Sequence, residues 1–116
     1  MKDMSLRERA IEYLNARYGG KAVYLRINGP GQPDLFIGYP VYAPSASERY
    51  QGLLLNIQPE GTQLKNHDDT WRTASIAKAA VVLEDYARDG YVAQFACGLD
   101  ELVTIIDSFF TGDRAL

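Results

Sequence analysis

The chain has 116 residues, enough to bury one hydrophobic core and too few for two. Its 12 basic and 15 acidic residues give a formal net charge of −3, so it has no general attraction for phosphate. The composition predicts a single domain over residues 1–116. It also excludes a generally basic nucleic-acid-binding protein, because any such contact must come from a local cluster of lysine and arginine.

No segment of the sequence indicates membrane insertion or disulfide bonding. The N-terminal stretch MKDMSLRERA lacks the apolar core of a signal peptide, and no apolar run approaches the roughly 18 residues that cross a bilayer. The single Cys97 cannot form an internal disulfide, and its apolar setting favours a small buried side chain over a metal ligand. We therefore expect a cytoplasmic protein with no membrane partner.

The first half of the chain predicts one helix followed by three strands. Ser5 and Glu8 match the S-x-x-E capping box of a helix that the glycines at 19 and 20 end. In KAVYLRI, Val23, Leu25 and Ile27 alternate with polar or aromatic residues, which predicts a half-buried strand. DLFIG predicts a second strand, and the unbroken leucines of GLLLNIQ predict a central third strand buried on both faces.

The second half predicts a helix, a strand and a final helix. TASIAKAAVVLEDYARDG has helical periodicity, with Thr73 or Ser75 as its N-cap and Gly90 at its end. YVAQFAC predicts a fourth strand, and LDELVTIIDSFF predicts a helix capped by Asp100. The expected apolar stripe of this last helix is Leu99, Leu102, Val103, Ile106 and Phe110. The order predicts an α/β domain whose second helix crosses over to place the fourth strand parallel to an earlier one.

This order and two short motifs resemble the VRR-NUC family of the PD-(D/E)XK nucleases. The segment GQPDL, residues 31–35, is similar to the G-x-PDL with which a family strand begins, and DGY, residues 89–91, is similar to the glycine and aromatic residue that open a later strand. The resemblance covers residues 5–110. It implies a restriction-endonuclease-like mixed sheet flanked by helices, in the order α-β-β-β-α-β-α.

The resemblance also implies a metal site at four positions, three of which carry other groups here. In such nucleases two carboxylates hold Mg²⁺ or Mn²⁺, the metal activates a water, and a lysine orients that water. Asp34 matches the first acid, whereas Asn56 stands at the second acid, Gln58 at the lysine and Ala79 at a helix glutamine. One carboxylate holds Mg²⁺ weakly, so we expect at most a weak metal site at Asp34, to which Asn56 could add a ligand. No cofactor is expected.

Catalytic groups that have moved to neighbouring positions would leave an active enzyme. Glu60 shares the strand parity of Asn56, although the flanking proline and glycine indicate that the strand has ended. Lys65 could return from the following loop, and Glu8 could add a carboxylate, although its capping box already accounts for it. These groups keep a Mg²⁺- or Mn²⁺-dependent nuclease open as an alternative.

Two further features suggest binding without requiring it. In NHDD, residues 66–69, the histidine stands beside two aspartates, but adjacent side chains point in different directions, which favours a polar loop over a metal site. Tyr39, Tyr42 and Tyr50 flank a proline-bearing loop and could stack on bases or pack against a partner chain. The acidic composition favours packing.

We therefore expect a catalytically degenerate domain that binds DNA or a DNA-processing protein. The resemblance further implies a phage or prophage accessory protein that forms a homodimer. Two alternatives remain: an active, structure-selective DNA nuclease with migrated catalytic groups, and a small phage inhibitor of a host nuclease or defence complex.

Overall fold

A computed structural model describes residues 5–18, 23–29, 31–38 and 52–111. In chain order its elements are α1 (Leu6–Tyr18), β1 (Val23–Arg26), β2 (Leu35–Gly38), β3 (Leu53–Gln58), α2 (Ala74–Arg88), β4 (Val92–Cys97) and α3 (Leu99–Thr111). The order of helices and strands in these ranges is the predicted one. The α/β architecture expected from the sequence is thereby confirmed.

The four strands form one mixed sheet in the order β1-β2-β3-β4. β1 pairs with β2 and β2 with β3 in antiparallel fashion, whereas β3 and β4 are parallel. A parallel pair requires a crossover, and α2 provides it. The predicted inner position of β3 is confirmed, and its three leucines, Leu53, Leu54 and Leu55, are all buried.

One face of the sheet carries the main hydrophobic core under α1 and α3. Alternate residues of β2, β3 and β4 point to this face and pack against the buried stripes of the two helices. The fully buried aliphatic side chains of the core include Leu14, Leu35, Ile37, Leu53, Leu55, Leu102 and Ile106. The opposite face is covered by α2, which packs against β3 and β4.

A cluster that the sequence did not predict joins α1 to α3. The Tyr13 hydroxyl donates to the Asp107 carboxylate at 2.7 and 2.8 Å, and the Tyr18 hydroxyl donates to Oδ1 of Asp107 at 2.7 Å. Tyr18 also stacks on Phe110, with 4.3 Å between ring centroids. Burial and the Asp107 hydrogen bond raise the pKa of Tyr18 to about 12.

No helix in the described ranges is both long and apolar enough to span a membrane.

The structure corrects the orientation expected for β1. Leu25 is 61 % exposed, whereas its neighbour Tyr24 packs against the core cluster. Leu25 pairs with Phe36, and both point to the face opposite the Leu35 core. Because α2 packs over β3 and β4 on that face, the apolar alternation of β1 does not mark its buried side.

The start and the buried stripe of α3 also differ from the prediction. The Leu102 N–H donates to the Gly98 carbonyl at 3.1 Å, so Gly98 occupies the N-cap position and Asp100 lies in the first turn. The stripe is rotated toward Ile105 and Phe109, which are buried where Val103 was expected. Ser5 caps α1 as predicted, and α2 is capped by Thr73, one of the two residues predicted for that position.

Candidate functional site

Asp34, the residue before β2, forms backbone hydrogen bonds with the segments on both sides of it, β3 and the residue that follows β1. Its N–H donates to the Leu55 carbonyl at 2.7 Å, and its carbonyl accepts from the Ile27 N–H at 3.1 Å. Its carboxylate oxygen Oδ2 accepts from the Ile57 N–H at 2.7 Å. The side chain thus supplies the acceptor for a β3 backbone amide just before β2 begins. This is a structural role that the sequence motif did not reveal.

Asn56 and Gln58 form a side-chain pair at the end of β3. Residues two apart on a strand share a face, and here the Gln58 Nε2 donates to the Asn56 Oδ1 at 2.6 Å. Asn56 is buried, with 7 % of its surface exposed. Among the described residues no buried side-chain polar atom lacks a partner. Each side chain of the pair thus provides one hydrogen-bond partner for the other, and both are neutral amides.

The structure brings Asp34, Asn56 and Gln58 to one end of the sheet. The Asp34 carboxylate contacts the Ile57 amide, which lies between Asn56 and Gln58 in the chain. Ala79 lies in the buried stripe of α2, the helix that packs against β3 and β4, and is 5 % exposed. The family pattern has a glutamine at this position. The Ala79 methyl group packs here and provides no hydrogen-bonding group.

The donor set that the described residues provide at this end of the sheet does not fit a divalent metal. Mg²⁺ requires several hard oxygen ligands in octahedral geometry, and charged oxygens offset its dehydration. Asp34 supplies one carboxylate, which already accepts from Ile57, and the Asn56 carbonyl accepts from Gln58. In the described part of the chain, histidine, cysteine, aspartate and glutamate do not form a group of three that could hold a metal ion.

The candidates for migrated catalytic groups lie in other contacts. β3 ends at Gln58, and Glu60 lies in a turn, closed by Thr62 N–H to Pro59 O at 3.2 Å, next to Gly98. The Lys65 ammonium lies 4.8 Å from the ring centroid of Trp71 and 4.0 Å from Asp69 Oδ1. Glu8 exchanges hydrogen bonds of 3.1 Å with Ser5 in the capping box.

The NHDD segment forms the turn of a short hairpin. The Asn66 N–H donates to the Thr70 carbonyl at 2.8 Å, and Asp69 adopts a φ of 72°. Asp68 accepts from the Thr70 hydroxyl at 2.6 Å, and hydrogen bonds from Thr70 lower the pKa of Asp68. These contacts are those of a polar turn.

Tyr39, Tyr42 and Tyr50, predicted as binding residues, lie outside the described residues.

Two basic side chains flank the loop that leads into Asp34, and the second of them, Lys78, was not singled out from the sequence. Arg7 Nη1 donates at 3.3 Å to both the Ile27 carbonyl and the Asn28 Oδ1. On the side of α2, the stem of Lys78 runs along Gly31, with Cε 3.3 Å from the position of a Cβ atom at Gly31. The sequence did carry one signal for Lys78, because it precedes Ala79 in the helix expected to face the site.

An open apolar groove lies between α2, β4 and the hairpin. Trp71 and Phe95 contribute the two aromatic rings, 5.8 Å apart between centroids. The other lining residues are Ala80, Leu83, Glu84, Ala87 and Ala93. At the end of β4, Cys97 is half-buried, and burial together with the charge of Glu101 raises its thiol pKa. That shift disfavours the reactive thiolate.

A comparison with solved structures finds the same fold in a VRR_NUC domain protein. The match covers 96% of this chain and 92% of that chain, with a TM-score of 0.60 and 17% sequence identity. No family model matches the sequence, and no curated protein is significantly similar to it. The chain therefore has a VRR-NUC-like fold, as its motifs suggested, and at this identity the likeness establishes the fold alone.

Proposed function

We propose that this chain is a catalytically degenerate VRR-NUC-like domain that works by binding DNA. The observation that carries the loss of catalysis is the hydrogen bond from Gln58 to Asn56 at the end of β3, and DNA as the ligand is part of the proposal because the chain resembles a nuclease family. The family pattern would place a carboxylate and a lysine at these two positions. A neutral amide pair provides neither a second charged metal ligand nor a cation to orient an attacking water.

The contacts of Asp34 support the same proposal. Its carboxylate holds the Ile57 N–H, so the residue contributes to the fold even without a metal. The groups that could restore activity, Glu60 and Lys65, lie in a turn beside Gly98 and over the Trp71 ring. A nuclease in which Lys65 acts would need its ammonium to leave the Trp71 ring.

The proposal is tested by measuring binding and cleavage in the same samples. We expect labelled duplex, branched or single-stranded DNA to be bound in the presence of Mg²⁺ or Mn²⁺ and to remain uncut. The matched control is Asp34→Asn, which keeps an oxygen acceptor for the Ile57 N–H while removing the charge. Cleavage that disappears in Asp34→Asn would contradict the proposal and favour the active nuclease.

The biological setting of this binding rests on the resemblance alone. Phage or prophage accessory function and a homodimeric state are part of the proposal because small family members have them. Sedimentation equilibrium of the purified chain tests the dimer, and a single monomer mass over a wide concentration range would count against it. Recovery of one host nuclease in stoichiometric amount, resistant to DNA digestion, would favour the inhibitor alternative.

A further inference from the structure

The outer edge of β4 carries backbone groups that point away from the sheet. Within the described ranges β4 pairs with β3 on one side and with no strand on the other. The Val92 N–H donates to the Gly52 carbonyl and the Gly98 N–H to the Gln58 carbonyl, each at 2.9 Å. Because the direction of these groups alternates along a parallel strand, the backbone groups that point outward belong to the odd-numbered residues, Ala93, Phe95 and Cys97.

The open part of this edge is short and has a defined end. The Cys97 N–H donates to the Glu101 side chain at 3.1 Å, so that carboxylate takes the place of an acceptor on a neighbouring strand. Among the described residues, the outward N–H and carbonyl groups of Ala93 and Phe95 have no backbone partner. A strand added beside β4 can form four hydrogen bonds with these groups.

β4 lacks the features that protect an edge strand from pairing with another chain. Protected edges carry lysine, proline or a bulge. The segment VAQFAC, residues 92–97, has no charged residue and no proline, and it pairs with β3 residue for residue along its whole length. An unprotected edge of this kind is suited to the addition of an extended peptide.

The apolar groove lies directly beside this edge. Ala93 and Phe95 line it together with residues of α2, so the groove is on the α2 face of the sheet. Alternate side chains of an added strand point to that same face and enter the groove. Three lining residues are alanines, at positions 80, 87 and 93, and leave room above the strand. The groove therefore accepts aliphatic side chains at every second position of its occupant.

Two carboxylates give the occupant its charge. Glu84 stands on the wall of the groove, Glu101 stands at the end of the open edge, and both are exposed. The ion pairs formed within the described ranges involve Asp69 and Asp85, so neither glutamate is neutralised by a described cation within 4.0 Å. A segment with a basic residue at each end complements both charges.

A second copy of this chain lacks that complementarity. β4 contains no basic residue, and Asp89 and Asp100 stand close to its two ends in the sequence. Arg88, the nearest basic residue in the chain, is paired with Asp85. Two β4 strands placed side by side would therefore bring like charges together.

We infer that the β4 edge and its groove bind an extended segment of a partner protein, with aliphatic side chains at alternate positions and a basic residue at each end. The segment adds a strand beside β4 through the backbone groups of Ala93 and Phe95. The inference goes beyond the proposed function, since β3 separates this edge from Asp34 and the contact requires no DNA.

The first experiment uses the synthetic peptide Lys-Thr-Val-Thr-Val-Thr-Lys, which places its valines and lysines on one face of a strand. In NMR titrations of the intact chain we expect saturable amide shifts at Ala93 and Phe95. Hydrogen exchange of these two amides should slow when peptide is added, whereas the Val92 amide, bonded to Gly52, is protected throughout. A peptide with glutamate in place of both lysines should bind about fivefold more weakly or less.

Three results of this experiment overturn the inference. The first is the absence of these shifts, and the second is equal binding of the lysine and glutamate peptides. The third is protection of the Ala93 and Phe95 amides that rises with protein concentration in the absence of peptide, which would assign the edge to a second copy.

The second experiment compares variants of the chain, each checked for folding by circular dichroism. Ala93→Pro removes an outward N–H and keeps the bonds to β3, as an edge position allows, and should abolish peptide binding. Glu84→Lys should weaken it by about twofold to fivefold. Glu12→Lys is the matched control, because Glu12 is exposed on α1, across the sheet from the groove, and should leave the affinity unchanged.

Peptide affinity that is the same in wild type and Glu84→Lys, or that falls equally in Glu12→Lys, overturns the inference. So does full binding by a folded Ala93→Pro variant. If Ala93→Pro does not fold, the comparison of Glu84→Lys with Glu12→Lys decides alone.

Discussion

The side-chain amide of Gln58 donates a 2.6 Å hydrogen bond to the side-chain oxygen of Asn56. This bond couples the two positions, since a change at either one removes the partner of the other. Asn56 is buried, so an unpaired polar group there would lose solvation without compensation. Restoring a charged site therefore requires that both residues change together.

We predict that Asn56→Asp combined with Gln58→Lys raises the affinity for Mn²⁺. The aspartate is isosteric with asparagine and adds a second carboxylate near Asp34, while the lysine supplies a counter-charge for it. Isothermal titration calorimetry should show Mn²⁺ binding that the wild type lacks or has only weakly. Ala79 is left unchanged because a glutamine at this buried position would overpack the helix.

The matched control for this pair is Gln58→Lys alone, which adds a cation without adding a ligand. It should not improve Mn²⁺ binding. A folded double variant with wild-type Mn²⁺ affinity would show that these positions are not the remnant of a metal site.

The element order, the parallel β3–β4 pair and the Ser5 and Thr73 caps were predictable because capping patterns and apolar periodicity are local signals. The shared face of Asn56 and Gln58 followed from strand geometry in the same way. The orientation of β1 did not, because it depends on which strands α2 covers.

The hydrogen bonds of Asp107 with Tyr13 and Tyr18 join residues 94 and 89 positions apart, and no local pattern marks them. The Lys78 contact was hidden for a similar reason. It depends on the closeness of two segments that are far apart in the chain, and only the folded structure shows that Gly31 leaves room for the lysine stem.

Substitutions at Asp34 should separate its structural role from any role of its charge. Asp34→Ala removes the acceptor of the part-buried Ile57 N–H, and we expect it to lower the free energy of unfolding by about 1–3 kcal/mol. Asp34→Asn keeps an acceptor oxygen and should cost less. Urea denaturation followed by circular dichroism measures both. Equal losses in the two variants would mean that the charge, and not the hydrogen bond, holds the strand end.

Ionisation of the Tyr18 hydroxyl should lower the free energy of unfolding at alkaline pH. Its pKa is raised from 10.0 to about 12, first by burial and then by its hydrogen bond to Asp107. The folded state holds this proton more tightly than the unfolded state, so the contribution is fully present below pH 10 and is lost as pH rises from 10 through 12. In urea denaturation, Tyr18→Phe should flatten this part of the pH dependence.

A second variant tests the cause of that shift. Asp107→Asn removes the negative charge that opposes ionisation of Tyr18, so tyrosinate absorbance should develop at lower pH than in the wild type. An unchanged titration in Asp107→Asn would leave burial as the whole cause of the raised pKa.

Gly98 and Gly61 form a matched pair for testing how the end of β3 is held. Both have positive φ, +88° and +79°, but a Cβ atom on Gly98 would lie 2.9 Å from the Glu60 Cβ, whereas one on Gly61 would meet nothing within 4 Å. Gly61→Ala should therefore show only the backbone cost, about 1–2 kcal/mol.

Gly98→Ala should cost more than Gly61→Ala, because it adds a clash with the turn to the same backbone strain. The Gly98 N–H also donates to the Gln58 carbonyl at 2.9 Å, so a displaced Gly98 pulls on the strand end that carries the Asn56–Gln58 pair. Free energies of unfolding for both variants, together with amide shifts of Asn56 and Gln58, measure the two effects. If both alanines cost the same and leave those shifts unmoved, the turn around Glu60 adjusts freely and does not hold the site in place.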